Sequence, residues 1–433
     1  NQITTTRTIT LDVPVTLGTM NIGDLSGGSS FTVTGNTLTF EASGGGNATL
    51  NMINDGGNVT ISSTLQLNSA LDIFLNDPTN NQGIILSGII NGGMGVGNTS
   101  MTINDLSGDY RLNWVLLNQA NTFTGQVLVQ SGLLRYEGNN AVAGARGVGN
   151  ETIVENEGGV DLRDRDFNVQ ADDTEIFRIS GMGPNGVGAL RNTSGTGSVS
   201  HLILDADSSV GGYSNGGFYR HLDTAGTAEI ASIVDLGGFT LNKLGTGEWR
   251  FHNADIQCRT GATINVYEGE IKFENNGALL GGALIDGTVY GNNLDGLTIN
   301  VITNKTPYDG VDPANGSRTF DPFNPPATHT EITGNSVVNS RLSFGTYWSG
   351  TTTHPLNTKV VDNFDNFTVN LSNGTWQREG STGAGQTFDQ VFGSGVTINL
   401  VSGGMGKDAV GSGNLFDIQG GSASYNTTLG SWD

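Results

Sequence analysis

The sequence predicts an all-β chain of solenoid type, and three observations carry that expectation. First, apolar residues alternate with Thr, Asn and Ser over short runs, the two-residue period of a strand with one buried face. Second, the runs are separated by clusters of Gly and Asn, residues that accept positive φ and turn the chain sharply. Third, a strand–turn–strand unit recurs, at 127–145 and again at 264–282. A unit that cannot bury its own face must stack on its neighbours, which is the logic of a solenoid. Hydrophobic residues make up only 35% of the 433 residues, which suits thin repeated cores better than one thick core.

Along the chain, residues 1–17 alternate for an unusually long stretch, with Ile3, Ile9, Leu11, Val13, Val15 and Leu17 on one face. A terminal strand of that length either caps the first coil or pairs with a neighbouring molecule by strand addition. A solenoid ends in open strand edges, and these need a cap or a partner. Alternation continues in Thr8–Asp12, Phe31–Thr34, Thr37–Phe40, Ala48–Met52, Asn58–Ile61 and Ser100–Ile103. Between these runs lie Gly27-Gly28-Ser29, Gly44-Gly45-Gly46-Asn47, Asn54-Asp55-Gly56-Gly57 and Asn91-Gly92-Gly93, which read as turns. The two repeat units then align without a gap. Val129 matches Val266, Gly132 matches Gly269, Glu137 matches Glu274 and Gly144 matches Gly281. Leu134-Arg135-Tyr136 matches Ile271-Lys272-Phe273 in chemical type.

Pro307, Pro313, Pro322, Pro325 and Pro326 crowd into 304–333, five of the nine prolines, so this stretch reads as an insertion between strands. It also carries Asp309, Asp312, Asn315 and Asp321, oxygen donors suited to calcium, although their spacing matches no EF-hand loop. The region after 335 returns to short strands and holds Trp348, Trp376 and Trp432, which read as core or end-cap aromatics. The expected organisation is a solenoid over 1–300, an insertion loop over 301–334 and a C-terminal β region over 335–433. That last region either continues the solenoid or forms a sandwich-like cap.

Within this order, Leu116-Leu117-Asn118-Gln119-Ala120-Asn121-Thr122-Phe123-Thr124-Gly125, followed by Val127–Leu134, resembles the autotransporter-associated β-strand repeat. The run from Leu236-Gly237-Gly238 through Lys243-Leu244-Gly245-Thr246-Gly247 resembles the segment that often precedes that repeat. The resemblance covers roughly 110–145 and 233–282 and fades after about 300. It implies a right-handed parallel β-helix exported to the cell surface, and no catalytic residues. The chain departs from that family in lacking a C-terminal outer-membrane barrel. It begins at Asn1 without a charged and apolar leader, so the expectation is a secreted chain whose signal peptide has been removed.

The net charge of −22 repels phosphate backbones and anionic lipid, which argues against nucleic-acid binding. No run of 18 apolar residues is present, which argues against a membrane-spanning helix. The one cysteine, Cys258, excludes a disulfide within the chain and leaves a thiol or an intermolecular bridge. His201, His221, His252, His329 and His354 are scattered, with no metal-ligand spacing. The closest set of carboxylates is Asp161-Leu162-Arg163-Asp164-Arg165-Asp166. As a strand it would put Asp164 and Asp166 on one face about 7 Å apart, a spacing open to sugar chemistry. The plainer reading is a solvated charge ladder with Arg163 and Arg165 on the other face. Sequons such as Asn192-Thr193-Ser194 and Asn373-Gly374-Thr375 arise by chance in a chain of this composition.

The expected function is structural rather than enzymatic: an extracellular protein that assembles with itself into a surface layer, sheath or filament. Ile3, Ile9, Leu11, Val13, Val15, Leu17 and Trp432 are the candidate contact residues. At about 4.7–4.8 Å and about 20–25 residues per coil, the chain would form a rod of order 100 Å. The alternatives are a surface adhesin that binds glycans through the 304–333 insertion and the late tryptophans, and a polysaccharide-cleaving β-helix that uses the 161–166 carboxylates. No resident cofactor is expected beyond an optional calcium ion.

Overall fold

The computed structural model describes residues 6–24, 29–53, 57–76, 82–107, 113–137, 141, 143–167, 175–219, 221–222, 229–230, 232–252, 254–275, 288–293 and 296–302. Beyond these it describes a series of strands, from Tyr308–Val311 to Gly430–Trp432, by their backbone, with side chains at 368–370. The chain divides into two compact units. One comprises Asn1–Asp166, Thr174–Gly197 and Val311–Thr319, and the other Phe167–Asp173, Ser198–Gly310 and Phe320–Asp433.

In the first unit the strands are β1 (Arg7–Leu11), β2 (Val15–Leu17), β3 (Thr19–Ile22), β4 (Phe31–Gly35), β5 (Leu38–Phe40), β6 (Ala48–Met52), β7 (Val59–Ile61), β8 (Leu65–Leu67), β9 (Leu71–Leu75), β10 (Gly83–Leu86), β11 (Ile90–Gly92), β12 (Thr99–Asp105), β13 (Trp114–Leu117), β14 (Gln126–Tyr136) and β15 (Thr152–Asp161). They stack in three parallel ladders. The first runs β1, β4, β7, β10, β13, then the second halves of β14 and β15, then Leu190–Arg191. The second is β2, β5, β8 and β11. The third is β3, β6, β9, β12, the first halves of β14 and β15, and Ile176–Gly181. From β1 to β12 the chain visits the ladders in turn, one strand on each per circuit; beyond β11 the second ladder carries only the Gly93–Thr124 bridge among the described residues, and β14 and β15 each span the third and first ladders. Contacts such as Asn47 to Asp72 and Gln126 to Glu151 join residues 25 apart, one circuit of chain. This all-β, parallel-strand arrangement fits a solenoid at the coarse level.

The alternation in the sequence explains the stacking. In β6, β7 and β9 every second residue is buried and those between are half-buried, and β4 does the same up to Thr34. In register, Leu50, Ile73, Ile103, Val129 and Val154 form one aliphatic file. Each buried member contributes about 1.5–3 kcal/mol. A one-residue slip would turn the whole file outward, so the pattern also fixes register.

The second unit repeats the device. Thr240–Lys243, Thr263–Val266, Thr298–Ile302, Thr368–Ser372, Thr397–Leu400 and Ser424–Thr427 pair in parallel. That register aligns Asn242, Asn265, Asn300, Asn370, Asn399 and Asn426. The amide of Asn265 donates to Asn242 (3.1 Å), that of Asn300 to Asn265 (2.8 Å) and that of Asn370 to Asn300 (2.8 Å). A second ladder runs from Asn215–Tyr219 through Glu248–His252, Glu270–Asn275, Arg341–Thr346, Gly374–Arg378 and Gly403–Lys407 to Gly430–Trp432. Inside it Phe218 lies tilted against Phe251 (ring centroids 4.8 Å apart) and Phe251 stacks on Phe273 (4.9 Å). Among the described pairs with a defined register, only His221–Leu222 against Glu229–Ile230 runs antiparallel.

The strand–glycine–strand order expected in both repeat units is present. Gly132 (φ 77°) lies within β14, and Gly269 (φ 66°) lies between Thr263–Val266 and Glu270–Asn275. A Cβ on Gly269 would stand 2.6 Å from the carbonyl oxygens of Gly245 and Gly247, so glycine is required there for space as well as for φ. The following residues 138–140, 142 and 276–282 lie outside the described residues. The expectation of one long strand over 1–17 is corrected. β1 ends at Leu11, the chain bends at Asp12-Val13, and β2 begins after Pro14 on a different ladder. Pro14 has no N–H to give a ladder, which suits it to the corner.

Candidate functional site

The side of β1, β2 and β3 that carries no strand among the described residues is the candidate site. Ile9 occupies the file of Val33 and Ile61, and Arg7 that of Phe31 and Val59. Val33 is 1% exposed, yet Ile9 is 44% exposed, because among the described residues β1 has its register partner in β4 alone. The same holds on the other ladders. Val15 and Leu17 are half-buried above buried Leu38 and Phe40, and Met20 is half-buried above buried Leu50. Val13, at the bend, is 58% exposed. The structure therefore brings Ile9, Leu11, Val13, Val15 and Leu17 to one end of the first unit, divided between two ladders. Arg7 and Met20 join them. Met20 was legible in the alternation of Thr19-Met20-Asn21-Ile22, whereas Arg7 gave no apolar signal.

Ile3 lies outside the described residues. Trp432 belongs to the second unit and is described by its backbone, in the file of Trp249, Ile271, Leu342, Trp376 and Met405. Trp249 in that file is fully buried, and its indole N–H donates to the carbonyl of Gly211 (3.1 Å).

The 161–166 cluster is corrected. β15 ends at Asp161, and Arg163 (φ 47°) and Asp164 (φ 70°) are left-handed in a tight turn closed by the Arg165 N–H on the Leu162 carbonyl (3.1 Å). Both strand-based readings, the shared face of Asp164 and Asp166 and the solvated ladder, fail on this geometry. Asp164 instead accepts the backbone N–H of Thr196 at Oδ1 (2.8 Å). Arg165 is buried and donates through Nε to the carbonyl of Ala141 (2.8 Å). Asp161 is buried 3.6 Å from Nε of Arg135 and 3.9 Å from Nε of Arg191, and accepts the hydroxyl of Thr193 (2.7 Å). The Arg135 guanidinium also lies over the Trp114 ring, 5.1 Å from its centre.

A second buried polar group, marked by no motif or periodicity, lies inside this unit. Glu175 Oε1 accepts the hydroxyl of Thr152 (2.9 Å), while Oε2 is buried with no hydrogen-bond partner. Burial pushes the Glu175 carboxyl up to about 7, against the Thr152 hydrogen bond and the charges of Arg146 and Arg165, which pull it down. Burial, with the neighbouring Glu175 charge, also pushes the Tyr136 hydroxyl far up. Arg165 is brought down to about 10, chiefly by burial and then by Arg146.

In the second unit Lys243 is buried and donates through Nζ to the carbonyls of Leu244 (2.7 Å), Gly245 (2.6 Å) and Glu268 (3.2 Å). Its charge is satisfied internally. Cys258 is half-buried at the end of Ala254–Cys258. His252 packs edge-on against Tyr219. Asn192, in one of the sequons, is buried with its amide on the Gly195 carbonyl (3.2 Å), so it is closed to modification in the folded chain. Asp309 is described only by its backbone; Asp312, Asn315, Asp321, His329, Trp348 and His354 lie outside the described residues. Among the described residues no three His, Cys, Asp or Glu side chains could hold a metal ion, and no helix is long and apolar enough to cross a membrane.

No family model, no curated protein and no solved structure matches this chain.

Proposed function

We propose that this chain is a structural protein of the cell exterior, a right-handed parallel β-helix that associates with copies of itself through the uncovered side of its first coil. The observation that carries this reading is the contrast within one file, Ile9 at 44% exposure against Val33 at 1%. Open strand edges flanked by exposed apolar side chains are templates for another chain. The right hand follows from the rule that parallel strands joined by a crossover in one sheet almost always turn that way. The location outside the cell rests on the acidic composition and on the resemblance of 116–134 and 236–247 to exported repeats.

The test is light scattering on the 433-residue chain and on Ile9→Lys. A charge in that file cannot be covered by an apolar partner without a large desolvation cost. The native chain is expected to form dimers or larger species at micromolar concentration, and Ile9→Lys to remain monomeric with unchanged circular dichroism. Monodisperse native monomers across that range would contradict the proposal.

A further inference from the structure

We propose that Glu175 is a proton-operated latch, which holds the start of β16 (Ile176–Gly181) on β15 while its carboxyl is protonated and releases it when the proton is lost. The latch lies inside the first unit and does not depend on self-association.

The file that Glu175 meets is apolar. In register, Ala48, Leu71, Met101, Val127, Thr152 and Phe177 lie on one line through the third ladder, and all six are buried. Thr152 is the one polar member. Glu175 stands one residue before β16, and burial recurs at Glu175, Phe177 and Ile179, so the carboxyl enters on the same inner face as the Phe177 ring. Its Oε1 accepts the Thr152 hydroxyl (2.9 Å), and Oε2 is buried without a hydrogen bond. A neutral carboxyl is tolerated there at modest cost. A carboxylate would have one hydroxyl in place of its whole hydration shell.

The groups around Glu175 come from four places. Arg146 follows β14 and Arg165 follows β15, and both charges favour the carboxylate, whereas the charge of Glu151, next to Thr152, opposes it. Arg165 is already bonded to the carbonyls of Ala141 (2.8 Å) and Asp166 (2.9 Å). Tyr136 of β14 is fully buried, and burial with the Glu175 charge holds its hydroxyl far up, so it stays neutral. Burial outweighs the two arginines, and the Glu175 carboxyl stands at about 7 instead of its ordinary 4.5.

Opening gives the charge a way to water. Glu175 lies at the entry to β16, so lifting the first residues of that strand frees the carboxyl while the remaining ladder stays paired. The pairs lost first are Phe177 on Thr152 and Arg178 on Ile153. In the open form the carboxyl returns to its ordinary value, so opening releases a proton between about 4.5 and 7. The coil is tight at acidic pH and loosens as pH rises to neutrality.

Hydrogen exchange of 175–181 in the 433-residue chain, corrected for the intrinsic effect of pH on exchange, tests the latch. Opening is expected to increase about tenfold per pH unit between 4.5 and 7 and to level off above. It is also expected to be insensitive to urea below the unfolding transition, because local opening exposes little surface. Glu175→Gln is expected to abolish the pH dependence. Thr152→Val, which removes the hydroxyl that lowers the Glu175 value, is expected to carry the rise to higher pH. A rise of equal steepness in Glu175→Gln would overturn the proposal, as would a flat native profile or a rise that ends at the same pH in Thr152→Val. Urea sensitivity equal to that of peptides from β6 through β9 would overturn it too, since the proton would then act on global unfolding alone.

Discussion

At the residue scale, the buried polar groups are where side-chain chemistry and stability meet. Glu175 enters the first unit's interior with one oxygen on Thr152 and the other without a hydrogen bond. Its folded-state value of about 7 lies above its ordinary value of 4.5. A carboxyl raised in this way contributes stability that is complete below about 4.5 and is lost as pH rises through about 7. The difference is on the order of 3 kcal/mol. Glu175→Gln, which keeps the shape without the charge, is expected to stabilise the chain at pH 8, leave it little changed at pH 4.5, and flatten the pH dependence of urea unfolding between them. Equal destabilisation at both pH values would contradict this assignment. None of it was legible in the sequence, because Glu175 stands 23 residues from Thr152 and ten from Arg165, with no motif that links them. The same limit applies to Asp161–Asp166. Alternating charge suggested a strand, and only the left-handed Arg163 and Asp164 show that the chain turns there.

At the element scale, the strands were legible and their connections were not. Phe31-Thr32-Val33, Ala48–Met52 and Val59-Thr60-Ile61 form strands at the expected places because one face of each is buried and the other is not. The long alternation at 1–17 misled because period two survives a bend, and Pro14 was the signal that the strand breaks. The asparagine ladder was hidden for a different reason. Thr-x-Asn occurs at 240–242, 263–265, 298–300, 368–370 and 397–399, but the first three intervals are 23, 35 and 70 residues, so no fixed period marks the copies. A paired loop was also there to be found. Gly95-Val96-Gly97-Asn98 and Gly147-Val148-Gly149-Asn150 adopt one conformation, in which Asn98 and Asn150 each donate to the carbonyl four residues back (3.1 Å), and the loops join through the Gly97 N–H and the Gly149 carbonyl (2.7 Å). In the ladder, Asn265 donates to Asn242 and accepts from Asn300, so Asn265→Ala removes two bonds at once. It is expected to lower the stability of the second unit by about 1–3 kcal/mol, measured by denaturant unfolding. A neutral result would mean that water replaces the ladder without cost.

At the scale of the whole molecule, stacking gives every inner file a cover on both sides except where a coil has a neighbour on one side only. Among the described residues β1, β2 and β3 are such a place, and Ile9 and Val13 are exposed there. Its residues were partly legible, since Ile9, Leu11, Val15 and Leu17 stood out by alternation, while their division between two ladders did not. The proposed self-association through this coil makes a specific demand on backbone protection, because a second copy would shield the amides of β1. Hydrogen exchange of the peptide spanning 6–22, followed as a function of protein concentration, tests this most directly. Its exchange is expected to slow as concentration rises, while peptides from β6 through β9 keep the same protection throughout. Exchange of 6–22 that does not change with concentration would contradict the account.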